Sequence, residues 1–452
     1  MLRGICNHTR SPLVGSILVT PVLHAGLYDA IVTARAVVCG SGGLTGHMQS
    51  LCRARGIPVL RVDRADLADL VGEVTLDLGS RSILIGSPAT AGPSGPRTAV
   101  ASPWPSPSPS PSPSPSPSPS PSPSPSPDDL GSACAVIADL EDIRTVNACA
   151  PGAELVDCFF IREEFLCLAA ALRPLDSLHG GPAAVESYGQ SVADRLCALV
   201  DALLPGQRLV LRLLDLRSDH AADVTEQAPV TVEPNPELGL HGARWLLRST
   251  AYRDALHALL RTLRGRLGED ARRVHLSVPF LTDEREFARL RAHLDVPRDV
   301  PLSAFVETPA AVHATAALCA AGASEVFVGT KDLVQFYLAA DRGNHLVADS
   351  YQTRHPAVLD ALRSVVRSAR AAATPVRVYA LGTDLAHYRE RLTTPDGYMM
   401  CTAELQQVLL HGRRRGPLAG AVAGQRSSVR SGPRQSSFSA DGMYAPGTSF
   451  GA

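Results

Sequence analysis

Charged side chains suited to anion and metal binding follow β-rich segments in the second half of the sequence. Arg162 comes directly after "CFFI", and Arg212 lies within "LVLRLLDL". Glu307 follows "SAFV", Asp332 follows "FVGTK", and Arg342 lies in "AADRGN". Carboxylates are the hard oxygen ligands that Mg²⁺ prefers, and a guanidinium group matches carboxylate and phosphate through two parallel hydrogen bonds. These residues predict a site for a small phosphorylated carboxylic acid together with Mg²⁺.

A histidine suited to nucleophilic chemistry lies far from these residues, near the amino terminus. His47 closes the glycine-containing turn "GSGGLTGH" and precedes a segment that reads as a helix. Neutral imidazole is a nucleophile near pH 7. A histidine on a turn is nevertheless more often a solvated loop residue, so its role depends on the elements that surround it.

Eight short apolar segments after residue 130 read as β-strands that alternate with helical stretches such as 188–204 and 250–266. The strand segments are "CAVIADL", "LVDCFFI", "RLVLRLLDL", "RVHLSVPFL", "SAFVET", "EVFVGT", "VRVYALG" and "GYMMCTA". This alternation predicts an α/β fold, a (β/α)8 TIM-like barrel over residues 130–410. Such barrels carry their chemistry at the carboxyl ends of the strands, where the charged residues described above lie.

A smaller α/β module is predicted before the barrel, over residues 12–90, from the runs "SILVTPVL", "AIVTARAVVCG", "IPVLRV" and "EVTLDLGSRSILIG". Residues 91–129 contain an alternating Ser-Pro tract, in which every second residue lacks an amide donor, and we expect a disordered linker. Residues 411–452 are rich in Gly, Ser and Arg and lack apolar periodicity. We expect a disordered basic tail there.

Composition limits the classes of protein to consider. At 452 residues and 45% apolar composition, the chain can bury at least one large core. Its 43 basic and 44 acidic residues nearly cancel, which gives no argument for a nucleic-acid or membrane partner. No apolar run is long enough to span a bilayer, no cleavable leader is recognisable, and the ten cysteines lack zinc-site spacing. We therefore expect a cytoplasmic protein with reduced thiols.

The order of the segments resembles that of the phosphoenolpyruvate-utilising enzymes: enzyme I of the sugar phosphotransferase system, pyruvate phosphate dikinase and phosphoenolpyruvate synthase. The stretch "GGLTGHMQSLCRARGIPVL" resembles the swivelling phosphohistidine domain of this family. In the barrel, "FFIREEFL", "LRLLDL", "NPELGLHGAR", "FVETPAA" and "VGTKDLVQFYLAADRGN" resemble family segments in the family order. The similarity covers nearly all of the chain between residues 15 and 410, apart from the linker.

The resemblance implies a role for each candidate residue. His47 is the residue that becomes phosphorylated on a ring nitrogen, Thr45 lies beside it in the turn, and Glu307 and Asp332 bind Mg²⁺. The implied substrate-binding residues are Arg162, Arg212, Asp215, Arg244 and Arg342. The implied reaction moves phosphoryl from phosphoenolpyruvate to His47 and releases enolpyruvate. The long linker then lets the swivelling domain carry the phosphohistidine to an acceptor.

Several positions depart from the family pattern. Lys331, the sole lysine of the chain, stands where the family has the asparagine of "GTND". It is either a catalytic residue, as a contact to phosphate or as a partial substitute for the metal, or a change in a decaying site. His241 stands where the first arginine of "NPxLGxR" often stands. The strand "VYALGTD" lacks the cysteine that the family uses to protonate enolpyruvate, and Cys401 aligns with the final strand instead.

These observations leave three functions open. The first is an Mg²⁺-dependent phosphotransferase that acts through His47 on an unknown acceptor. The second is a catalytically impaired homologue that binds phosphoenolpyruvate or a partner in regulation, and the third is a scaffold phosphorylated on its Ser-Pro tract. We expect phosphoenolpyruvate and pyruvate as ligands, a separate phosphoacceptor protein, a homodimer through the barrel, and neither nucleic-acid nor membrane partners. From the short stretch before the module, we expect no phosphocarrier-docking insert and no ATP-grasp domain.

Overall fold

The computed structural model describes two folded regions that correspond to the module and the barrel. The described residues are 1–9, 11–23, 25–41, 48, 51–52, 55–62, 66–77, 82–85, 130–149, 152–225, 230–342, 344–392 and 395–413. The turn with Thr45 and His47, the Ser-Pro tract and most of the predicted tail lie outside these ranges, so the expectations for them stay predictions.

The amino-terminal module is a six-stranded sheet of order β4-β3-β2-β1-β5-β6. Its elements are β1 (Leu2–Asn7), β2 (Ile17–Val22), α1 (Tyr28–Thr33), β3 (Ala36–Ser41), β4 (Val59–Arg61), β5 (Glu73–Asp77) and β6 (Ser82–Ile85). Strands β1 to β4 pair in parallel, whereas β5 pairs antiparallel with both β1 and β6. The run predicted as one β-rich segment, "AIVTARAVVCG", divides into the end of α1 and then β3, because Tyr28, Ala30 and Ile31 bury one helical face. Strand β1 lies before the predicted range 12–90.

Eight parallel strands close into a barrel of order β10-β11-β12-β13-β14-β7-β8-β9. They are β7 (Ala133–Ile137), β8 (Val156–Arg162), β9 (Arg208–Arg212), β10 (Val274–Val278), β11 (Leu302–Val306), β12 (Val326–Val328), β13 (Val376–Tyr379) and β14 (Gly397–Cys401). Each contains residues from one of the eight segments predicted as strands. The predicted α/β class, a TIM-like barrel preceded by a small α/β module, is therefore confirmed.

Helices follow the barrel strands and cover the outside of the barrel. They are α2 (Leu140–Asn147), α3 (Glu163–Ala169), α4 (Pro174–His179), α5 (Pro182–Val200), α6 (Ser218–Val224), α7 (Gly242–Leu246), α8 (Thr250–Leu267), α9 (Glu284–His293), α10 (Pro309–Ala320), α11 (Thr330–Leu338), α12 (Pro356–Ala371), α13 (Leu385–Arg391) and α14 (Thr402–Arg413). Side chains fix several starts: Ser249 caps α8, and Thr308 caps α10 just before Pro309. None of the helices in the described part of the chain is both long and apolar enough to cross a bilayer.

Alternation along the strands separates the barrel interior from the core beneath the helices. In β9, Leu209 and Leu211 belong to the large core between strands and helices, whereas Val210 packs inside the barrel. Arg208 and Arg212, at the two ends of β9, are each two residues from Val210 and therefore lie on the same face of the strand. The strand thus places one guanidinium group at each end of the barrel interior, and the carboxyl-terminal one belongs to the candidate site.

Candidate functional site

Arg162 ends β8, so it lies at the carboxyl end of the barrel. Its guanidinium group lies over the ring of Phe165, 4.2 Å from the ring centroid. Burial, together with the positive charges of Arg212 and Arg342, lowers the pKa of Arg162 to about 10. Among the described residues, no carboxylate forms an ion pair with Arg162. The charges of Glu164 and Asp332 act in the opposite direction without forming an ion pair, so this half-buried cation would be stabilised further by an anion brought from outside.

Arg212, at the end of β9, is held by three carboxylates. Its Nη2 lies 2.6 Å from Glu164 Oε1 and 3.2 Å from Asp215 Oδ2, and its Nη1 lies 3.9 Å from Glu307 Oε2. Burial would lower the pKa of Arg212, but these negative charges raise it above the usual value. The side chain is only 3% exposed, so the carboxylates fix the guanidinium plane rigidly. Arg212 is thus a preoriented donor at the mouth of the barrel.

Two carboxylates at this end are candidates for metal binding: Glu307, which belongs to the Arg212 network, and Asp332, which lies beside it. Glu307 follows β11, and its Oε1 accepts a hydrogen bond of 2.8 Å from the backbone N–H of Phe280. Asp332 lies in the first turn of α11, and its Oδ1 lies 2.7 Å from Nη2 of Arg342. Burial raises the pKa of Glu307 well above its usual range, and the negative charge of Asp332 raises it further. A nearby cation would favour the ionised form of Glu307.

The donor set at Glu307 and Asp332 fits Mg²⁺ better than a metal held by protein ligands alone. No group of three or more His, Cys, Asp or Glu side chains arranged to hold a metal is found in the described part of the chain. Mg²⁺ is usually bound by one or two carboxylates, with ligand oxygens and water completing its coordination. A buried carboxylate, Glu307, beside a partly exposed one, Asp332, suits that mode of binding.

Lys331 lies at the rim of the barrel beside Asp332. Its ammonium nitrogen is 4.8 Å from the centroid of the Tyr379 ring, and its carbonyl accepts a hydrogen bond of 2.8 Å from the hydroxyl of Tyr351. The Tyr379 hydroxyl in turn contacts Cys401 Sγ at 3.2 Å inside the barrel. The ring of Tyr379 therefore links the sole lysine to a buried thiol.

Asp215 and Arg244 have different environments, although both were predicted at the substrate. The Asp215 Oδ1 lies 2.7 Å from Nδ1 of His241. Burial would raise the pKa of Asp215, but His241 and Arg212 hold it well below its usual range. Arg244 Nη1 instead donates to the backbone carbonyls of residues 238–239, at 3.0 and 3.3 Å. Asp215 belongs to the arginine network, whereas Arg244 holds the neighbouring loop.

The amino-terminal module packs against this end of the barrel. Phe165, whose ring faces Arg162, is 3% exposed and belongs to an apolar cluster that includes Met48 of the module. An ion pair between Arg55 of the module and Asp139, the N-cap residue of α2, spans the same interface. Met48, which follows His47 in sequence, thus lies in the same apolar cluster as Phe165, the residue in contact with Arg162.

The structure brings together most of the predicted barrel residues. The connected set comprises Arg162, Arg212, Asp215, Glu307, Asp332 and Arg342. Thr45 and His47 lie outside the described residues, and Lys331 and Arg244 lie at the margin of the set. The sequence reasoning missed Glu164 and His241 as network members. Glu164 could have been found, because it lies two residues after Arg162 in "FFIREEFL", whereas the contacts of His241 depend on the loop fold.

Comparisons with known proteins match both regions. The model of the PEP-utilising enzyme mobile domain matches residues 13–80, and that of the PEP-utilising enzyme PEP-binding domain matches residues 160–381. A multiphosphoryl transfer protein of Xanthomonas campestris is 31% identical over 337 residues, which are 73% of this chain and 36% of that protein. A probable phosphoenolpyruvate synthase of Methanocaldococcus jannaschii is 28% identical over 231 residues, 50% of this chain and 19% of that protein.

A third relative, the phosphoenolpyruvate-protein phosphotransferase of Staphylococcus aureus, is 32% identical over 176 residues, 36% of this chain and 29% of that protein. The chain therefore spans between 19% and 36% of the length of these relatives. The two family models match the module and the barrel in the same order as the folded regions. On these grounds the chain belongs to the phosphoenolpyruvate-utilising enzyme family.

Proposed function

We propose that this protein is an Mg²⁺-dependent phosphotransferase that moves the phosphoryl group of phosphoenolpyruvate to His47 and then to a separate acceptor. In the first step, the bond between phosphorus and the enol oxygen breaks, and a bond between phosphorus and a ring nitrogen of His47 forms. The enolate of pyruvate leaves and takes up a proton to give pyruvate. The membership of the chain in a family of phosphoenolpyruvate-utilising enzymes supports the substrate class.

The observation that carries the proposal is that Arg162 lies at the mouth of the barrel without an ion pair among the described residues. Burial and the charge of Arg212 lower its pKa, and the charges of Glu164 and Asp332 offset this only in part. A phosphate or carboxylate placed there gains a charge-assisted, two-point hydrogen bond in a dry environment. We assign Arg162, Arg212 and Arg342 to the substrate anions, with Asp215 fixing Arg212. Arg244 then acts indirectly, by holding the loop.

Glu307 and Asp332 are the residues that would hold Mg²⁺ in this proposal. When bound, Mg²⁺ would neutralise the charge of the substrate oxygens and of the departing enolate. The mutual repulsion of the two carboxylates would be relieved by the same ion. Asp332 would still accept the hydrogen bond from Arg342, which keeps that guanidinium group beside the substrate.

The residues nearest the transfer step include Lys331, Thr45 and His47. Lys331 is next in sequence to Asp332, and we propose that its ammonium group contacts a phosphate oxygen once substrate is present. Thr45 would hold the turn that carries His47. The burial of Met48 in the cluster that contains Phe165 supports an approach of the module to Arg162. Ten cysteines without disulfides suit a reducing compartment such as the cytoplasm, where we propose that the protein acts.

Labelled substrate tests the proposal. The protein is incubated with Mg²⁺ and phosphoenolpyruvate labelled in the phosphate, and acid-labile label on the chain is measured for the wild type and His47→Ala. We expect label on the wild type alone. Arg285→Gln, which changes a guanidinium group with an 86% exposed side chain, is the matched control and should label fully. An unlabelled wild type would contradict the phosphotransferase, and equal label on His47→Ala would contradict the assignment of His47.

One observation favours a second function, a homologue that binds phosphoenolpyruvate in regulation without turnover. Ala380 directly follows β13 and is fully buried, and its methyl side chain cannot donate a proton to enolpyruvate. In that case phosphoenolpyruvate would raise the melting temperature of the protein, because a ligand that binds only the folded state stabilises it. Pyruvate release and acid-labile label would both be absent.

A further inference from the structure

His241 is a buried histidine whose two ring nitrogens both face hydrogen-bond acceptors. Nδ1 lies 2.7 Å from Asp215 Oδ1, and Nε2 lies 3.0 Å from the backbone carbonyl of Glu237. The ring also packs against Phe280, with 4.1 Å between ring centroids, and the residue is only 2% exposed. Gly242 has a φ of +51° and lies so close to Phe280 that a Cβ would clash, which fixes the loop at this point.

The two acceptors determine which protons the ring must carry. A backbone carbonyl can only accept, and an ionised carboxylate can only accept. Asp215 Oδ2 lies 3.2 Å from Nη2 of Arg212, whose permanent positive charge favours the ionised carboxylate, so Asp215 acts only as an acceptor. Neutral imidazole has only one N–H, so one of its nitrogens would place a lone pair against an oxygen in a buried site. Only the imidazolium form satisfies both contacts.

We propose that His241 is doubly protonated in the folded protein and that its imidazolium is a positioning residue, which fixes Asp215 and through it Arg212 for binding of the substrate anion. The second half of this inference rests on the proposed function. Asp215 accepts from His241 through Oδ1 and lies 3.2 Å from Arg212 through Oδ2, so one carboxylate joins two cations. Loss of one His241 proton removes a positive charge next to Asp215 and leaves one of the two ring contacts without an N–H donor.

Other charged groups around His241 belong to several elements. Arg217, just before α6, forms an ion pair with Glu237 and also acts on the charge of Asp215. Arg244 on α7 binds the carbonyls of residues 238–239 in the same loop. His220 on α6 lies 2.8 Å from Arg217, and burial together with Arg217 lowers its pKa to about 4, so it stays neutral where the test is made. Glu233 accepts hydrogen bonds of 3.1 Å from the backbone N–H of Leu240, next to His241, and Asp215 is the acid in contact with the ring.

The protonation state is measured without substrate. Nitrogen-15 spectra of histidine side chains are recorded on the full chain at pH 7, and the His241 signals are assigned by their loss in His241→Asn. We expect both ring nitrogens of His241 to carry protons in the absence of phosphoenolpyruvate. A signal from a single neutral tautomer at pH 7 would overturn the proposal, whether or not the protein binds phosphoenolpyruvate.

The positioning role is measured by calorimetric titration of phosphoenolpyruvate between pH 6 and pH 9. We expect the affinity of the wild type to fall by about tenfold through the pH at which the spectra show proton loss from His241, because a charge-assisted contact is lost. His241→Arg, or His241→Lys if arginine does not fit, should lack this step because its charge is permanent. His241→Gln should bind weakly over the whole range.

The variants separate the positioning role from other effects of pH. The ionisation of phosphoenolpyruvate and of the remaining histidines is common to all variants, so only the difference between the wild type and the cationic variant reports His241. Identical pH profiles for these two proteins, or full affinity of His241→Gln, would overturn the positioning role. If the wild type binds no phosphoenolpyruvate at any pH, the proposed function fails, and the spectra alone decide the state of His241.

Discussion

The two ends of the barrel both bury arginines against carboxylates, but their charges are balanced differently. At the amino end, Arg377 binds both oxygens of Asp157 at 2.8 and 2.7 Å and Glu325 at 2.6 Å, and Arg208 binds Glu325 at 2.9 Å. These acids raise the pKa of Arg377 although burial opposes them. At the carboxyl end, burial and neighbouring cations lower the pKa of Arg162.

This contrast separates a structural network from a binding site within one fold. Arg377 has its counter-charges in the chain, so its network completes itself on folding. Arg162 instead lacks an ion pair among the described residues, and an anion from outside would stabilise it. Buried groups whose charge is uncompensated by the protein are typical of functional sites. The predictions below test whether the two ends differ in this way.

The largest expected effect is on phosphoryl transfer. Arg162→Gln should slow the labelling of the protein by phosphoenolpyruvate roughly 1,000-fold, because a preorganised charge that faces the transferring group is lost. Its melting temperature should match or exceed that of the wild type, since an uncompensated buried charge is removed. Rapid-quench labelling and calorimetric melting measure the two quantities. A rate within a factor of three of the wild type, or a clear loss of stability, would show that Arg162 has a structural role like that of Arg377.

The corresponding change at the amino end should act on stability. Arg377→Gln leaves Asp157 and Glu325 without their main cation, and we expect a loss of about 3 to 5 kcal/mol in the free energy of unfolding. Guanidinium chloride titration followed by circular dichroism measures it. Arg285→Gln is the control and should change the free energy by no more than about 0.5 kcal/mol. If Arg377→Gln changed the free energy of unfolding as little as the control does, the amino end would not be the structural network proposed here.

The two ends should also respond to pH in opposite directions. Glu163, next to Arg162, is buried and accepts from the hydroxyls of Tyr188 and Tyr252, and burial raises its pKa to about 7. A raised pKa gives stability that is present below the unfolded value and lost as pH rises through about 7. Glu163→Gln should therefore gain about 3 kcal/mol of unfolding free energy relative to the wild type between pH 4 and pH 8.

Asp157 at the amino end provides the opposite case. Burial would raise its pKa, but Arg377 lowers it below the usual value, so its stabilising contribution is present above about pH 4 and lost in more acidic solution. Asp157→Asn should consequently be destabilised relative to the wild type at pH 7, and the difference should shrink toward pH 3. Denaturant titrations at several pH values measure both variants. Parallel pH profiles for Glu163→Gln and Asp157→Asn would contradict the opposite signs.

The smallest expected effect concerns the contact between module and barrel, which the described residues make at the carboxyl end of the barrel. Arg55 pairs with Asp139 across this contact, and both side chains are partly exposed. Arg55→Gln should weaken docking by about 0.5 to 1 kcal/mol, a shift of a few-fold between docked and undocked forms. Fluorescence energy transfer between labels on the module and the barrel measures it. The double change Arg55→Asp with Asp139→Arg should restore docking; no change in either variant would exclude a role for the pair.

The strand segments were predictable from the sequence because each barrel strand is a short apolar run bounded by turns. The eight predicted segments correspond to β7 to β14. Helix α1 was missed, because "AIVTARAVVCG" is apolar throughout and periodicity cannot divide such a run into helix and strand. Strand β1 was also missed, since "LRGICN" has only three apolar residues, and its pairing with β5 is a contact distant in sequence.

The site was predictable only in part. Residues at strand ends, such as Arg162, Arg212 and Glu307, could be placed because parallel strands bring their carboxyl ends together. Their partners could not be assigned, because the pairing of Arg212 with Glu164 and of His241 with Asp215 depends on side-chain direction and loop geometry. Spacing alone likewise gave no sign that Arg377, an arginine in a similar strand, is already paired.

The most direct test of the uncompensated charge is a calorimetric titration of phosphoenolpyruvate with Mg²⁺ into the wild type, Arg162→Gln and Arg285→Gln. We predict one binding site in the wild type and in Arg285→Gln, and an affinity at least about 100-fold weaker in Arg162→Gln, because a buried two-point ion pair is lost. Equal affinity in the wild type and Arg162→Gln would contradict the assignment of Arg162 as the anion site.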